Sequence, residues 1–333
     1  MNNIDLKVGC TRYDHVRALF DGTVQIEGVN ATFEDAKIVS DIFENMVRHH
    51  AYDVSELGLT FYLRTLEMEN PPFVAIPIFP NRQFRHSAIF INKASGIERP
   101  ENLIGKIIGE FGIYGHDAGV WPKGILSDDF GVRPEQSRWV VGATDWYMPP
   151  YDFVPQPVPA GVDMRPVAKG EMLGPMLEAG EIDALISAVV PGCILQGSDK
   201  VGRLFPDYET VERDYFARTG IFPIMHTVVI RKDVLAANPD IARSIYDGFV
   251  KSKKSAADEY RTGVMEQHGK LMIPWFTPLM AENLSLMGKD WWPYGLTANR
   301  KAMDTYLRYF HEQGLSSRRF TCEEIFLPEL LDT

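Results

Sequence analysis

Residues 73–91 read Phe-Val-Ala-Ile-Pro-Ile-Phe-Pro-Asn-Arg-Gln-Phe-Arg-His-Ser-Ala-Ile-Phe-Ile. Two apolar runs, 73–79 and 88–91, have the length and β-branched content of strands. The eight residues between them hold Arg82, Arg85, His86 and Ser87. Fixed cations beside an imidazole at a strand junction suit a small anion with proton chemistry next to it. A solvated, charged strand end would carry the same residue types.

A second segment repeats the theme. Residues 223–231, Pro-Ile-Met-His-Thr-Val-Val-Ile-Arg, set His226 at the head of another β-rich run. Two crossings, near 85–92 and 222–231, predict a pair of lobes. Residues 1–88 and 232–333 form a discontinuous first lobe, and 89–231 an inserted second lobe that includes both crossing strands. Around them strands alternate with helices. Strands are expected at 6–10, 23–33 (as a pair), 52–59, 106–109, 138–141 and 184–190, and helices at 39–50, 61–68, 120–130, 172–179 and 240–267. The helix at 39–50 rests on Val39, Ile42, Phe43, Met46 and Val47 at 3.6-residue spacing. Six prolines within 148–166 predict an irregular excursion. The fold class is α/β, and ligands in such sheets bind outside the carboxyl ends of strands, here between the lobes.

Composition narrows the function. The 333 residues are 45% hydrophobic, with a net charge of −11 and no basic block. Nucleic acid and anionic membrane are therefore not expected partners. Assembly into a homo-oligomer is left open. Cys10, Cys193 and Cys322 are three, far apart and without a Cys-x-x-Cys, which suggests reduced thiols and gives no metal signature. The first residues carry no basic or long apolar leader, so a cytoplasmic location is expected. No apolar stretch reaches 18 residues. Serine-hydrolase, zinc-protease, phosphate-loop and dinucleotide motifs are all missing.

Five segments together resemble the 4,5-dihydroxyphthalate decarboxylase family of the type II periplasmic-binding-protein superfamily. They are 79–87 (FPNRQFRHS), 120–132 (VWPKGILSDDFGV), 180–186 (GEIDALI), 223–231 (PIMHTVVIR) and 287–300 (MGKDWWPYGLTANR). The resemblance implies a two-lobed binding-protein fold turned from solute capture to cofactor-independent catalysis on a small aromatic dicarboxylate. The chain departs from the family pattern at 113–119, and Lys123 stands where arginine is expected.

The chemistry such a reaction needs can be set against the residues. Direct loss of CO2 would leave a localised aryl carbanion. Protonating the ring carbon first, with a hydroxyl para to the departing carboxylate, avoids it. That route asks for a cationic clamp, a proton donor over the ring and an acceptor for the phenolic proton. The clamp candidates are Arg82, Arg85 and Arg12, with Arg85 preferred because alternation points Arg82 and Arg85 to opposite faces. His86 is the first choice as acid, His226 the second and His116, with Asp117 beside it, the third. His86 and His226 are expected to approach each other. Glu56 is the acceptor. Ser87, Thr60, Ser187 and Tyr294 complete the expected substrate contacts, Tyr294 as part of an aromatic wall with Trp291 and Trp292. A non-catalytic binding protein for a small aromatic anion is the competing reading; it would have no use for paired histidines.

Overall fold

The computed structural model describes residues 3–148, 151–266 and 271–333. Its strands are β1 (Ile4–Gly9), β2 (Val29–Glu34), β3 (Val54–Gly58), β4 (Phe73–Ile76), β5 (Ile89–Asn92), β6 (Ile107–Phe111), β7 (Arg138–Gly142), β8 (Asp163–Pro166), β9 (Ala184–Ile186), β10 (Val201–Arg203) and β11 (His226–Arg231). They form two sheets, ordered β2-β1-β3-β11-β4 and β10-β5-β9-β6-β7-β8. Parallel pairs dominate; β11 runs antiparallel to β3 and β4, and β5 antiparallel to β9 and β10. This is the two-lobed α/β architecture of a type II periplasmic binding protein.

Strand β11 pairs with β3 over five positions, His226 opposite Gly58 and Ile230 opposite Val54. It therefore belongs to the first sheet, and the inserted piece ends before it rather than at 231. The reason is burial: residues 226–230 are covered on both faces, which a central strand permits and a free crossing does not. The links between sheets are residues 77–88 and the stretch from β10 to β11. They lie side by side, with an isolated antiparallel bridge between Arg82 and Ile224 and backbone bonds from Gln83 N to the Pro223 carbonyl (3.1 Å) and from Met225 N to the Asn81 carbonyl (2.9 Å).

Local sequence explains most elements. In the helix Val39–His49, Ile42, Phe43, Met46 and Val47 are buried, each worth roughly 1.5–3 kcal/mol of removal from water. The helix Ile241–Met265 hides Ile241, Ala242, Ile245, Gly248, Phe249, Ser252 and Ala256 along one stripe; the expected end at Gln267 lies outside the described residues. Residues 23–28 are turn rather than strand. Of the proline-rich excursion, Pro149 and Pro150 lie outside the described residues, while its end forms β8. That strand pairs only with β7, and Pro166 is tolerated there because an edge strand has a free side.

One helix ties the lobes together. Asp117–Phe130 follows β6 of the second sheet, yet it packs on Arg300–Glu312 near the C-terminus. Trp121 Nε1 donates to the Ile224 carbonyl at 2.8 Å and Gln313 Nε2 to the Val120 carbonyl at 2.8 Å. A Cβ on Gly124 would sit 2.2 Å from the Tyr309 ring, so the close approach of the two helices requires glycine there.

Candidate active site

The carboxyl end of β3 and the start of β11 meet at the cleft, and their side chains build the first half of the site. Glu56 is fully buried. Its Oε1 lies 2.6 Å from His226 Nδ1 and accepts the Tyr13 hydroxyl at 2.7 Å, while Oε2 accepts the Thr11 backbone N–H at 2.9 Å. Burial alone would raise its pKa; the bonds from His226, Tyr13 and Thr11 outweigh it and hold the carboxyl below its usual range. An ionised carboxylate only accepts, so Nδ1 of His226 carries a proton. Phe43 meets the imidazole edge-on at 5.1 Å.

Arg85 enters from the link between sheets. It is 5% exposed, and its guanidinium donates to the Met225 sulfur from Nε (3.2 Å) and Nη2 (2.9 Å). Among the described residues no carboxylate lies within ion-pairing distance. Burial lowers its pKa to about 10, opposed by the more distant Asp117 and Glu212, so it remains charged at neutral pH. A buried guanidinium whose partner is a thioether is under-satisfied, and a substrate carboxylate meets that need.

The second lobe supplies His116 and Asp117 at the start of the bridging helix. His116 Nδ1 accepts the Ala118 N–H at 3.2 Å, which fixes the neutral tautomer with its proton on Nε2. Burial lowers its pKa to about 3, with Arg85 and His226 adding to the effect. His116 is therefore a neutral donor. Asp117 Oδ1 accepts the Thr60 N–H (2.6 Å) and the Tyr306 hydroxyl (3.1 Å), and burial raises its pKa against the pull of His226. Its Oδ2 lies 2.3 Å from where a Cβ of Gly58 would be, so glycine at 58 lets the two lobes interlock.

A cavity of about 400 Å³ is lined by Arg85, Ser87, Ser187, Arg203, Glu212 and Phe222, among others. Its size suits a single substituted benzene ring. Ser187 and Thr144 share a hydrogen bond of 3.1 Å on one wall.

The chain is 32% identical to the 4,5-dihydroxyphthalate decarboxylase of Comamonas testosteroni over 337 residues, covering all of this chain and 99% of that one. The chain belongs to the 4,5-dihydroxyphthalate decarboxylase family. That is a family of carboxy-lyases. The Pseudomonas putida 4,5-dihydroxyphthalate decarboxylase is 34% identical over 218 residues, 65% of this chain and 83% of its own. No protein-family model matches. Solved structures of the same fold include a sulfonate-binding protein of a putative transporter from Methylobacillus flagellatus (TM-score 0.59, 14% identity, all of this chain and 94% of that one) and the aliphatic sulphonate-binding protein of Escherichia coli (TM-score 0.52, 11% identity, full coverage of both).

Within this family member the sequence-derived residues separate. Glu56 and His226 are hydrogen-bonded, Arg85 bonds Met225, the residue before His226, and His116 lies near enough to Arg85 and His226 to feel their charge. Ser187 and Ser87 line the Arg85 cavity, where Ser87 N–H donates to Glu212 at 2.8 Å. His86 does not approach His226. It sits edge-on between Phe205 (5.4 Å) and Tyr215 (5.2 Å), its Nδ1 buried without a partner, and burial lowers its pKa to about 4. Adjacent residues at a chain reversal face apart, so Arg85 takes the cleft and His86 the core. Arg82 lines the same cavity as Arg85; its guanidinium also donates to the carbonyls of Phe222 (3.2 Å) and Pro293 (2.6 Å) and to Asn299 Oδ1 (2.5 Å), which fastens the link to the C-terminal region. Arg12 is exposed over the Phe20 ring. Thr60 is fully buried and donates to the Gly115 carbonyl at 2.6 Å, a lobe-to-lobe contact. Tyr294 is buried beside His15.

Sequence reasoning missed Tyr13, the third partner of Glu56, which lies 43 residues away. It also missed Arg203 and Glu212 on the cavity wall. Lys123, noted only as a departure, forms a fully buried pair with Glu110 at 2.7 Å and lies 3.6 Å above the Tyr114 ring. Among the described residues no group of three His, Cys, Asp or Glu side chains is arranged to hold a metal ion, and no helix is long and apolar enough to cross a membrane.

Proposed function

We propose that this protein decarboxylates 4,5-dihydroxyphthalate to 3,4-dihydroxybenzoate and CO2. The observation that carries the reading is the buried Glu56–His226 contact beside an arginine whose guanidinium has no carboxylate partner. Full-length similarity to a decarboxylase of that name supports it. The substrate is a dianion in which each carboxylate has a hydroxyl para to it.

Arg85 holds one carboxylate through charge-assisted hydrogen bonds. Neutral His116 donates from Nε2 to a second polar group of the ring. His226, its Nδ1 held by Glu56, gives an Nε2 proton to the ring carbon that bears the departing carboxylate. The N–H bond breaks, a C–H bond forms, and the ring's positive charge delocalises onto the para hydroxyl. The bond to the carboxylate then breaks, its electron pair restores the aromatic ring, and CO2 leaves. One proton is consumed per turnover, and solvent returns it to His226. Exclusion of water by the interlocked lobes strengthens each of these electrostatic contacts.

The test is to incubate the purified, EDTA-treated protein with 4,5-dihydroxyphthalate and follow CO2 and 3,4-dihydroxybenzoate. Both should appear in equal amounts. Calorimetric binding without product would overturn the reading in favour of a solute-binding protein. We place the enzyme in the cytoplasm on its free, buried Cys10, Cys193 and Cys322; cell fractionation checks this.

A further inference from the structure

A second histidine–carboxylate pair lies one ring away from the first. Tyr13, whose hydroxyl donates to Glu56, stacks on His15 with centroids 5.3 Å apart and planes at 13°. His15 Nδ1 is 2.9 Å from Asp14 Oδ1. The bond from His15 holds Asp14 well below the usual carboxylate range, burial opposing it and the Tyr260 hydroxyl assisting. Ionised Asp14 only accepts, so Nδ1 donates to it, and Nε2 is the ring's remaining polar atom.

That Nε2 is buried without a hydrogen-bond partner, on a residue only 8% exposed. Tyr294 packs edge-on against the same imidazole at 6.2 Å, and its hydroxyl is also buried without a partner. Two unpartnered polar atoms thus occupy adjoining rings. An unpaired buried polar atom is costly, and one hydroxyl, donating to Nε2 and accepting from Tyr294, would satisfy both.

A cavity of about 480 Å³ is lined by His15, Tyr13, Trp291, Trp292, Phe84 and Phe222. Phe84 and Phe222 also line the cavity that holds Arg85. Charge selects the group that fits: Asp14 faces this cavity, and Lys253 is taken up by both oxygens of Asp290 at 2.7 Å. An arriving anion would meet Asp14, whereas a neutral hydroxyl meets no like charge.

We propose that His15 and Tyr294 seat a hydroxyl of the substrate ring, and that His15 is a further catalytic residue that accepts the phenolic proton. This rests on the decarboxylase reading. The O–H bond breaks and an N–H bond forms on Nε2, as the oxygen's electron pair moves into the ring and makes the para carbon more basic toward His226. When CO2 leaves, the pair returns to oxygen and His15 gives the proton back.

The experiment measures binding of 4,5-dihydroxyphthalate and of phthalate, which lacks the hydroxyls, together with turnover of the former. His15→Phe keeps the stack on Tyr13 and removes the acceptor; Tyr294→Phe removes only the hydroxyl. Wild type should prefer the dihydroxylated diacid by tenfold or more. His15→Phe should erase that preference, leave phthalate affinity unchanged and lower kcat roughly a hundredfold. Tyr294→Phe should lose part of the preference. A preference intact in both variants, or equal loss of both ligands, would overturn the proposal. Loss of the preference without any CO2 from wild type would sink the decarboxylase reading and the proton step, and leave the hydroxyl seat standing.

Discussion

His86 and His226 occupy matching places in the sequence. Each lies where the chain passes between the sheets, and each leads into an apolar strand. Their environments are opposite. His226 donates from Nδ1 to buried Glu56 at 2.6 Å, a contact that fixes the ring's orientation and gives it a carboxylate partner. His86 lies between Phe205 and Tyr215 with an unpartnered Nδ1, surroundings that keep it neutral. A histidine at a crossing becomes an acid only when another element brings a carboxylate to it. Here β3 does so for His226, through the pairing of Gly58 with His226 and of Val228 with Glu56.

The largest expected effect breaks the working side of this comparison. His226→Asn should lower kcat by roughly a thousandfold, within the range of a lost general acid, with a smaller change in KM; steady-state kinetics on 4,5-dihydroxyphthalate measures it. Glu56→Gln keeps the shape and removes the charge, and should cost about a hundredfold in kcat. Arg85→Gln should raise the dissociation constant for the diacid about tenfold to a hundredfold, the worth of a charge-assisted bond, with unchanged circular dichroism. Tyr13→Phe removes one of four donors to Glu56 and should lower kcat by about tenfold or less, the worth of one hydrogen bond.

The smallest kinetic effect belongs to the other side. His86→Phe should leave kcat within about threefold, since a surface away from the reacting atoms contributes little to the barrier. Its signature is in stability. The folded pKa of His86 is lowered to about 4 from an ordinary 6.5, so below pH 6.5 the unfolded chain binds a proton that the folded chain refuses. Stability from this group is full above that pH and falls as the pH drops toward 4. Between pH 7 and pH 5 the loss is about 2 kcal/mol. Urea unfolding at the two pH values should show a smaller difference for His86→Phe than for wild type; an equal difference would remove His86 as the source.

Much of the fold was legible because it rests on short-range pattern. The 3.6-residue spacing of Ile42, Phe43, Met46 and Val47 marks its helix, and the runs around 73–91 mark the passage between lobes. Strand β8 was hidden by Pro166 and the prolines before it, and only an edge position excuses Pro166. Strand β11 was misplaced because pairing with β3, some 170 residues earlier in the case of Glu56 and His226, leaves no local trace. The site follows the same rule. Residue type alone pointed to Glu56, Arg85 and His226. The direction each side chain takes was not legible, so His86 was ranked above His226. Tyr13, Asp14 and His15 stand together after the first strand, and that cluster of donors and acceptors at a strand's carboxyl end was the overlooked signal.

The most direct measurement of the central claim is single-turnover CO2 release from 4,5-dihydroxyphthalate by wild type, His226→Asn and His86→Phe, side by side. The account predicts near-normal release by His86→Phe and a loss of roughly three orders of magnitude in His226→Asn, with substrate still bound. Normal release by His226→Asn, or a collapse in His86→Phe with the fold intact, would contradict it.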